Sequence, residues 1–267
     1  MKAKELMQSI FYFFISIAII LAVWEAVSRL EILNPSLISR PSEVFTVLWK
    51  LLLKTSPSGA PILLTHIYAS LYRLLYSYVI AMVIGIGLGI LIGKNDKVYW
   101  FFEPLITLAL PIPGIAWAPI FMVWLGFGDP TIITVGALAA FFPIVYNASA
   151  GVRSVKKEFI WAAQSMGANG KTIFLKVLLP ASLGYIFTGI KLGLARSWRT
   201  IIAVEMIAAS LWGLGFMIFD ARDYLQPSVI YAGIVTLAFI YFLIENVIKL
   251  IEKRTIEKWG MVRGEVI

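Results

Sequence analysis

Long apolar stretches alternate with short polar ones along the whole chain. A helix rises about 1.5 Å per residue and the hydrocarbon core of a bilayer is about 30 Å thick, so a spanning helix needs roughly 20 consecutive, mostly apolar residues. Six stretches meet that requirement: about Ile10 to Leu30, Leu71 to Gly93, Leu105 to Leu125, Thr131 to Ala150, Leu183 to Ala209 and Ser228 to Leu250. The pattern predicts an all-α, polytopic membrane protein of about six transmembrane helices. The first stretch follows Lys2 and Lys4, and its length and lack of a small-residue cleavage site favour a retained anchor over a removed signal peptide. Residues 1–65 are expected to hold this anchor and an external amphipathic segment, and residues 66–267 the main transmembrane domain.

Composition agrees with the pattern. Of 267 residues, 60% are hydrophobic and 14% charged, whereas soluble domains are about half apolar and about a quarter charged. The absence of cysteine and the single histidine exclude a disulfide framework, a thiolate zinc cluster and a cysteine nucleophile. No cofactor or metal is expected. The net charge of +8 would suggest a nucleic-acid partner in a soluble protein, but here the cations collect at the ends of apolar runs, where they report membrane topology. Nucleic acid is therefore not an expected partner; the lipid bilayer is.

The loop between the fourth and fifth stretches carries Arg153, Lys156, Lys157, Lys171 and Lys176 against the single acid Glu158, while the preceding connection offers only Asp129. The positive-inside rule makes the basic loop cytoplasmic. Threading outward from it puts both termini inside, in agreement with Lys2 and Lys4 at one end and Lys249, Lys253, Arg254, Lys258 and Arg263 at the other, and places the Lys94 and Lys97 turn inside as well. Residues 31–65 come out external despite Arg40, Lys50 and Lys54, partly offset by Glu31 and Glu43; Pro41 to Lys54 reads as a short amphipathic surface helix.

Several positions inside the stretches carry specific expectations. Gly85, Gly89 and Gly93 form a small-residue stripe on which another helix can approach closely. Gly85, Gly87 and Gly89 do not make a dinucleotide loop, because no strand precedes them. Pro111, Pro113, Gly114 and Pro119 break the third stretch, and the carbonyls they free need protein or a wet cavity around them. Lys191, Arg196, Arg199 and Glu205 lie within the fifth, where charge is functional or paired by default. Arg196, Arg199 and Glu205 are candidates for a translocation path; the competing expectation is that they tie the helix to Asp129, Asp220 or Asp223, with Lys191 snorkelling to the cytoplasmic edge. His66 reads as an ordinary interfacial histidine, and Tyr68, Tyr72, Tyr76, Trp100, Phe101 and Phe102 as interface belts or lipid contacts.

The 153–180 loop is long for a compact chain. It reads as a short amphipathic helix through Trp161, Ala162 and Ala163, a turn at Gly167, a second short helix, and Pro180 opening the fifth span. Phe159, Trp161, Ala162, Ala163 and Met166 offer an apolar face that a soluble partner's groove can bury. Gly170, Lys171 and Thr172 imitate the end of a phosphate-binding loop, but Ser165 stands where its first glycine is required and a helix precedes it, so nucleotide binding is not expected here.

The same loop resembles the signature of the integral membrane subunits of binding-protein-dependent ABC importers: Glu-Ala-Ala, three residues, Gly, nine residues, Ile, one residue, Leu-Pro. Ala162, Ala163, Gly167, Leu179 and Pro180 match identically, Val177 is conservative, and Trp161 stands where the family has glutamate, with Glu158 one turn earlier. Further stretches are similar to the branch that imports nitrate, aliphatic sulfonates, taurine and bicarbonate: PSEV from Pro41, PLITLALPIPGIAWAPI from Pro104, WLGFGD from Trp124, FFPIVYNASAGVRSV from Phe141, and Thr188 to Met206. The resemblance implies a permease of a prokaryotic inner membrane, paired two-fold with a second, identical copy, each gripped at its 153–180 coupling loop by one ATP-hydrolysing subunit and sharing an extracytoplasmic solute-binding protein. Hydrolysis would then belong to the partner chain, and this chain would be no enzyme. The alternatives are a secondary transporter driven by an ion gradient, which needs a repeated half, a membrane enzyme, which needs paired acids or an activated nucleophile, and an importer of a neutral pyrimidine precursor.

Overall fold

The glycine stripe decides which helices touch. A Cβ added at Gly89 would lie 2.6 Å from the Ala148 Cβ and 2.7 Å from the Val145 carbonyl, and Gly85 and Gly93 abut Ile144 and Val152 in the same way. Helix α3 (Ile62–Lys94) is thereby drawn backbone to backbone against α6 (Asp129–Arg153). On its other side α6 meets α9 (Leu179–Ala208), so α6 runs through the centre of a three-helix core. Ile132, Val135 and Ile144 of α6 and Ile201 and Val204 of α9 are fully buried there.

The computed structural model describes residues 3–30, 38–57 and 59–258. Around the core lie α1 (Ala3–Arg29), α2 (Pro41–Leu53), α4 (Asp96–Ala109), α5 (Ala118–Leu125), α10 (Leu214–Asp223) and α11 (Pro227–Lys258), with two short helices, α7 (Lys157–Ser165) and α8 (Gly170–Ile173), between α6 and α9. Among the described residues no strand forms beyond an isolated bridge between Thr55 and Pro61. Among the described residues four helical stretches are long and apolar enough to cross a membrane: Ile62–Lys94, Asp129–Arg153, Gly170–Ala208 and Pro227–Thr255. They coincide with the second, fourth, fifth and sixth predicted spans. The first predicted span falls on α1, 27 residues long. The outward faces carry large apolar side chains such as Leu75, Val83, Leu91 and Phe239, all more than half exposed; a belt of that kind suits lipid and would be a liability in water.

The third predicted span is not a straight rod. Helix α4 starts earlier than expected, at Asp96, where the Asn95 side chain accepts from the Lys97 and Val98 amides, and it ends at Ala109. A 3₁₀ turn, Gly114–Trp117, then leads into α5, and the two halves are bent by 98°. Pro111 and Pro113 have no N–H to continue the ladder, so the chain turns where they stand.

Connections between the helices meet at both ends of the bundle. The α3–α4 turn and the α7–α8 hairpin lie together: Arg153 Nη1 donates to Asp96 at 2.7 Å, and the Lys94 ammonium sits 4.9 Å above the Phe174 ring. At the opposite end the Gly128 amide donates to the Ala208 carbonyl at 2.8 Å. The predicted surface helix is α2, tied to α1 by Ser42, whose amide and hydroxyl both donate to Glu25. Glu31, Lys2 and Arg263 lie outside the described residues.

A cationic cavity and a protruding hairpin

The hairpin is built from local hydrogen bonds. At the end of α7 the Gly167 amide donates to the Gln164 carbonyl at 2.9 Å and the Ala168 amide to the Ala163 carbonyl at 3.0 Å, which closes the helix in a Schellman turn. Gly167 has φ +78°, a conformation that favours glycine. Asn169 then caps α8, its side-chain oxygen accepting from the Thr172 amide at 2.9 Å. The two alanines and the glycine of the sequence signature are thus the last turn and the stop of one helix.

The second half departs from the expected helix, break and proline-opened span. Helix α8 runs on through a π-helical turn, Phe174–Leu178, into α9 without interruption. There the Leu179 amide reaches back five residues to the Phe174 carbonyl. Pro180 cannot donate to Lys176 and its ring would crowd that carbonyl; the widened turn accommodates both. Pro180 is buried, Val177 and Leu179 half-buried, and these three anchor the hairpin. Its other face is open: Phe159 and Trp161 are more than half exposed and Met166 is 87% exposed. Glu158, Ala162 and Gly167 are exposed and Ala163 half-buried. No residue of α7 is buried.

On the flank of the bundle the break in the third span faces α9 across a cavity of about 470 Å³. Its walls are the Leu110–Gly114 turn, Leu138, Ala139 and Phe142 of α6, and Arg196, Arg199 and Thr200 of α9. The expected partner for a freed carbonyl is found: Arg196 Nη1 donates to Leu110 O at 2.9 Å. Gly114 lies so close to Thr200 that a Cβ would collide with its side chain. Arg199 donates from Nε to its own helix, at Ala195 O, 3.0 Å away, which leaves the outer edge of its guanidinium free. No acid lines this cavity, so its charge is that of two guanidinium groups, forked donors shaped for oxyanions. Arg199 also borders a more apolar space of about 600 Å³ between α9 and α11, with Trp198 and Tyr241.

Glu205 does not join these arginines, a correction to the expected path set. It lies six and nine residues beyond Arg199 and Arg196, which at about 100° per residue turns it about 120° and 180° away. It is fully buried and accepts from Arg73 Nη1 at 2.7 Å, from Ser70 Oγ at 2.9 Å and from the Gly215 amide at 2.9 Å. Arg73 also donates to the Trp212 carbonyl and, through Nε, to Asp129, each at 2.7 Å. Asp129 therefore pairs with α3 and not with the α9 arginines, and Asp223 pairs with Arg222 at 2.7 Å. His66 is packed inside the bundle near the start of α3: it is 6% exposed, its Nδ1 lies 2.8 Å from the Gly213 carbonyl and 3.1 Å from the Gly213 amide, and its ring meets Trp212 edge-on. Lys191 pairs with Glu252 of α11 at 2.8 Å. Sequence reading overlooked Arg73, although a lone cation inside the Leu71 to Gly93 stretch was the signal for it.

A helical bundle with long lipid-facing helices, a broken helix beside a cationic cavity and an exposed hairpin at one end is the build of a polytopic membrane transport subunit. Residues 81–257 match the family of binding-protein-dependent transport system inner membrane components, and the chain belongs to that family. It is a multi-pass transport component of the inner membrane and not an enzyme. It is 36% identical over 250 residues to the taurine transport system permease protein TauC of Escherichia coli K12, covering 93% of this chain and 90% of that one. The putative aliphatic sulfonates transport permease protein SsuC of Bacillus subtilis 168 is 29% identical, covering 91% and 85%. The nitrate import permease protein NrtB of Synechocystis is 30% identical, covering 89% and 86%. Among solved structures, an inward-facing form of the MetNI methionine ABC transporter superposes with a TM-score of 0.64 at 21% identity, over 75% of this chain and 99% of that one; the likeness establishes the fold.

Proposed function

We propose that this chain lines the route by which an ATP-driven importer carries a small oxyanion, with an organic sulfonate such as taurine as the leading candidate and nitrate and bicarbonate as the other members of the class. The observation that carries the reading is the cavity beside α9, which offers Arg196 and Arg199 and no carboxylate. A neutral pyrimidine precursor has no use for two uncompensated cations, and an ion-gradient transporter is built from repeated halves that this chain lacks. Taurine leads because TauC shares the most sequence among the relatives above.

The drive comes from elsewhere. An ATPase subunit docks on the exposed face of the hairpin, where Phe159, Trp161, Ala162 and Met166 supply apolar area and Glu158 a carboxylate, while Gly167 holds the turn and Val177, Leu179 and Pro180 root it in α9. Two ATPases, a second identical permease and an extracytoplasmic binding protein complete the assembly. The hairpin and both termini are cytoplasmic, and six helices cross the bilayer, with α1 at the periphery and α4–α5 as one bent crossing. Closure of the ATPase pair on ATP would move the hairpins and rock the helices between inward and outward openings.

The test is uptake by proteoliposomes holding the permease with its ATPase and binding protein. ATP-dependent accumulation of taurine, reduced by excess ethanesulfonate and untouched by neutral pyrimidines, is the expected result. Accumulation by the permease alone along an ion gradient, or equal competition by a neutral pyrimidine, would overturn the reading.

A further inference from the structure

A smaller hollow of about 160 Å³ lies at the hairpin end of the bundle, between α3, α4 and α6 and away from the cavity beside α9. Its walls include Tyr99, Glu103, Tyr146, Ser149 and Arg153. Three of these side chains are incompletely satisfied. Glu103 stands on α4 two turns beyond Asp96 and accepts one hydrogen bond, from Thr107 Oγ1 at 3.2 Å. Among the described residues it has no ion pair, whereas Asp96, Glu205, Glu245 and Glu252 each hold a cation. A carboxylate at the edge of the hydrocarbon without a partner is expensive. Ser149 is 4% exposed and its hydroxyl has no hydrogen-bond partner among the described residues. Arg153 is held in place by Asp96 at 2.7 Å and by the Tyr99 ring 3.9 Å from its guanidinium carbon, and its remaining N–H donors have no partner among the described residues.

Glu103 and Arg153 carry opposite charges on one hollow and, among the described residues, form no ion pair with each other. A carboxylate is an acceptor seeking a cation, a guanidinium is a donor fork seeking an oxyanion, and a hydroxyl serves either. A lone metal cation would face Arg153, and a lone anion would face Glu103. At about 30 Å³ per water-sized group the hollow holds about five such groups. The geometry points to a binding site for a zwitterion that joins a primary ammonium to a tetrahedral oxyanion, the ammonium on Glu103 and Ser149 and the oxyanion on Arg153. Two sources share this chemistry: the headgroup of phosphatidylethanolamine, for which the exposed Trp100 and Phe101 on the same helix provide interfacial surroundings, and a free amino-sulfonate or amino-phosphate. Arg153 ends α6 four residues before α7 begins, so an occupant would sit directly behind the hairpin. The site stands independently of which solute is transported.

The full-length permease in detergent, stripped of phosphatidylethanolamine, tests it in two arms. In native mass spectrometry phosphatidylethanolamine is expected to stay bound at least tenfold more than phosphatidylcholine or phosphatidylglycerol, which lack the primary ammonium, if the lipid is the occupant. In thermal-shift titrations taurine or phosphoethanolamine is expected to stabilise where ethanesulfonate and ethylamine do not, if the occupant is a free solute. Glu103→Gln should lower the selective binding at least tenfold, and Ser149→Ala, which removes a hydroxyl the fold does not use, severalfold. Selectivity in either arm that responds to these variants supports the site. Equal retention of the three lipids together with no zwitterion-specific shift, or selectivity indifferent to both substitutions, would overturn it.

Discussion

Arg73 and Glu205 meet 2.7 Å apart in the interior, one on α3 and the other on α9, with Glu205 wholly shielded from solvent. Asp129, Ser70, the Trp212 carbonyl and the Gly215 amide complete their coordination. Helices α3, α6 and α9 and the start of α10 are thereby tied to one another, at the end of the bundle away from the hairpin. Removing Arg73 leaves Glu205 buried without its counter-charge, and breaking a buried pair costs about 3–5 kcal/mol; removing Glu205 leaves Arg73 with Asp129 but takes away the acceptor shared by Ser70 and Gly215. Glu205→Ala and Arg73→Ala should each lower the unfolding midpoint of the purified permease sharply. The double change should cost clearly less than the two single losses added together. Additive losses would mean that the two side chains do not act as a pair.

The two cavity arginines should behave differently when neutralised. Arg196 supports the Leu110 carbonyl at the broken helix, and a hydrogen bond from a charged donor contributes about 1.5–3 kcal/mol; Arg196→Gln should lower both thermal stability and uptake. Among the described residues Arg199 holds only Ala195 of its own helix. Arg199→Gln should leave stability and co-purification with the ATPase unchanged while reducing oxyanion uptake about tenfold or more, and Arg199→Lys should recover part of it. Uptake kinetics identical to wild type in Arg199→Gln would remove this residue from the route.

What the sequence disclosed followed from periodicity and spacing. Apolar length placed α3, α6, α9 and α11, the four-residue glycine interval marked the face of α3 that another helix approaches, and the spacing of Ala162, Ala163 and Gly167 placed the hairpin. Partners across the bundle were not legible, because which faces two helices present to each other depends on rotations that composition does not set. Adjacency in sequence groups Glu205 with Arg196 and Arg199, although helical geometry turns it toward Arg73, and nothing around His66 in the sequence signals its burial against Gly213. The prolines announced a break in the third span but not its 98° bend, since the direction of a turn is chosen by what receives it, here Arg196 and Thr200.

Neighbouring glycines of α3 provide a built-in comparison. Gly89 has the Ala148 Cβ and the Val145 carbonyl where a side chain would go, while Gly87, on another face, has nothing within 4 Å. Overpacking a close contact costs about 1–3 kcal/mol. Gly89→Val should reduce the monodisperse yield and lower the melting temperature, and Gly87→Val should do neither. Equal effects would show that the α3–α6 seam tolerates separation.

The hairpin admits the sharpest separation of shape from surface. Gly167 holds the left-handed conformation at φ +78° that ends α7, and a β-branched residue there pays about 1–2 kcal/mol. Gly167→Val should therefore misplace the whole knob, weakening association with the ATPase even though no contacting side chain has changed. Met166 is 87% exposed and Trp161 58% exposed, so Met166→Asp and Trp161→Asp leave the fold alone and should weaken association by removing apolar area or by placing charge in the partner's groove. Trp161→Glu restores the residue usual in the family at that position and should preserve association better than Trp161→Asp, since the longer carboxylate reaches the rim where Glu158 already stands one turn away. Co-purification of the ATPase with each variant, at matched permease stability, is the measurement. Full association and undiminished uptake in both Gly167→Val and Met166→Asp would show that the hairpin transmits nothing, and the drive would have to enter the bundle at another surface.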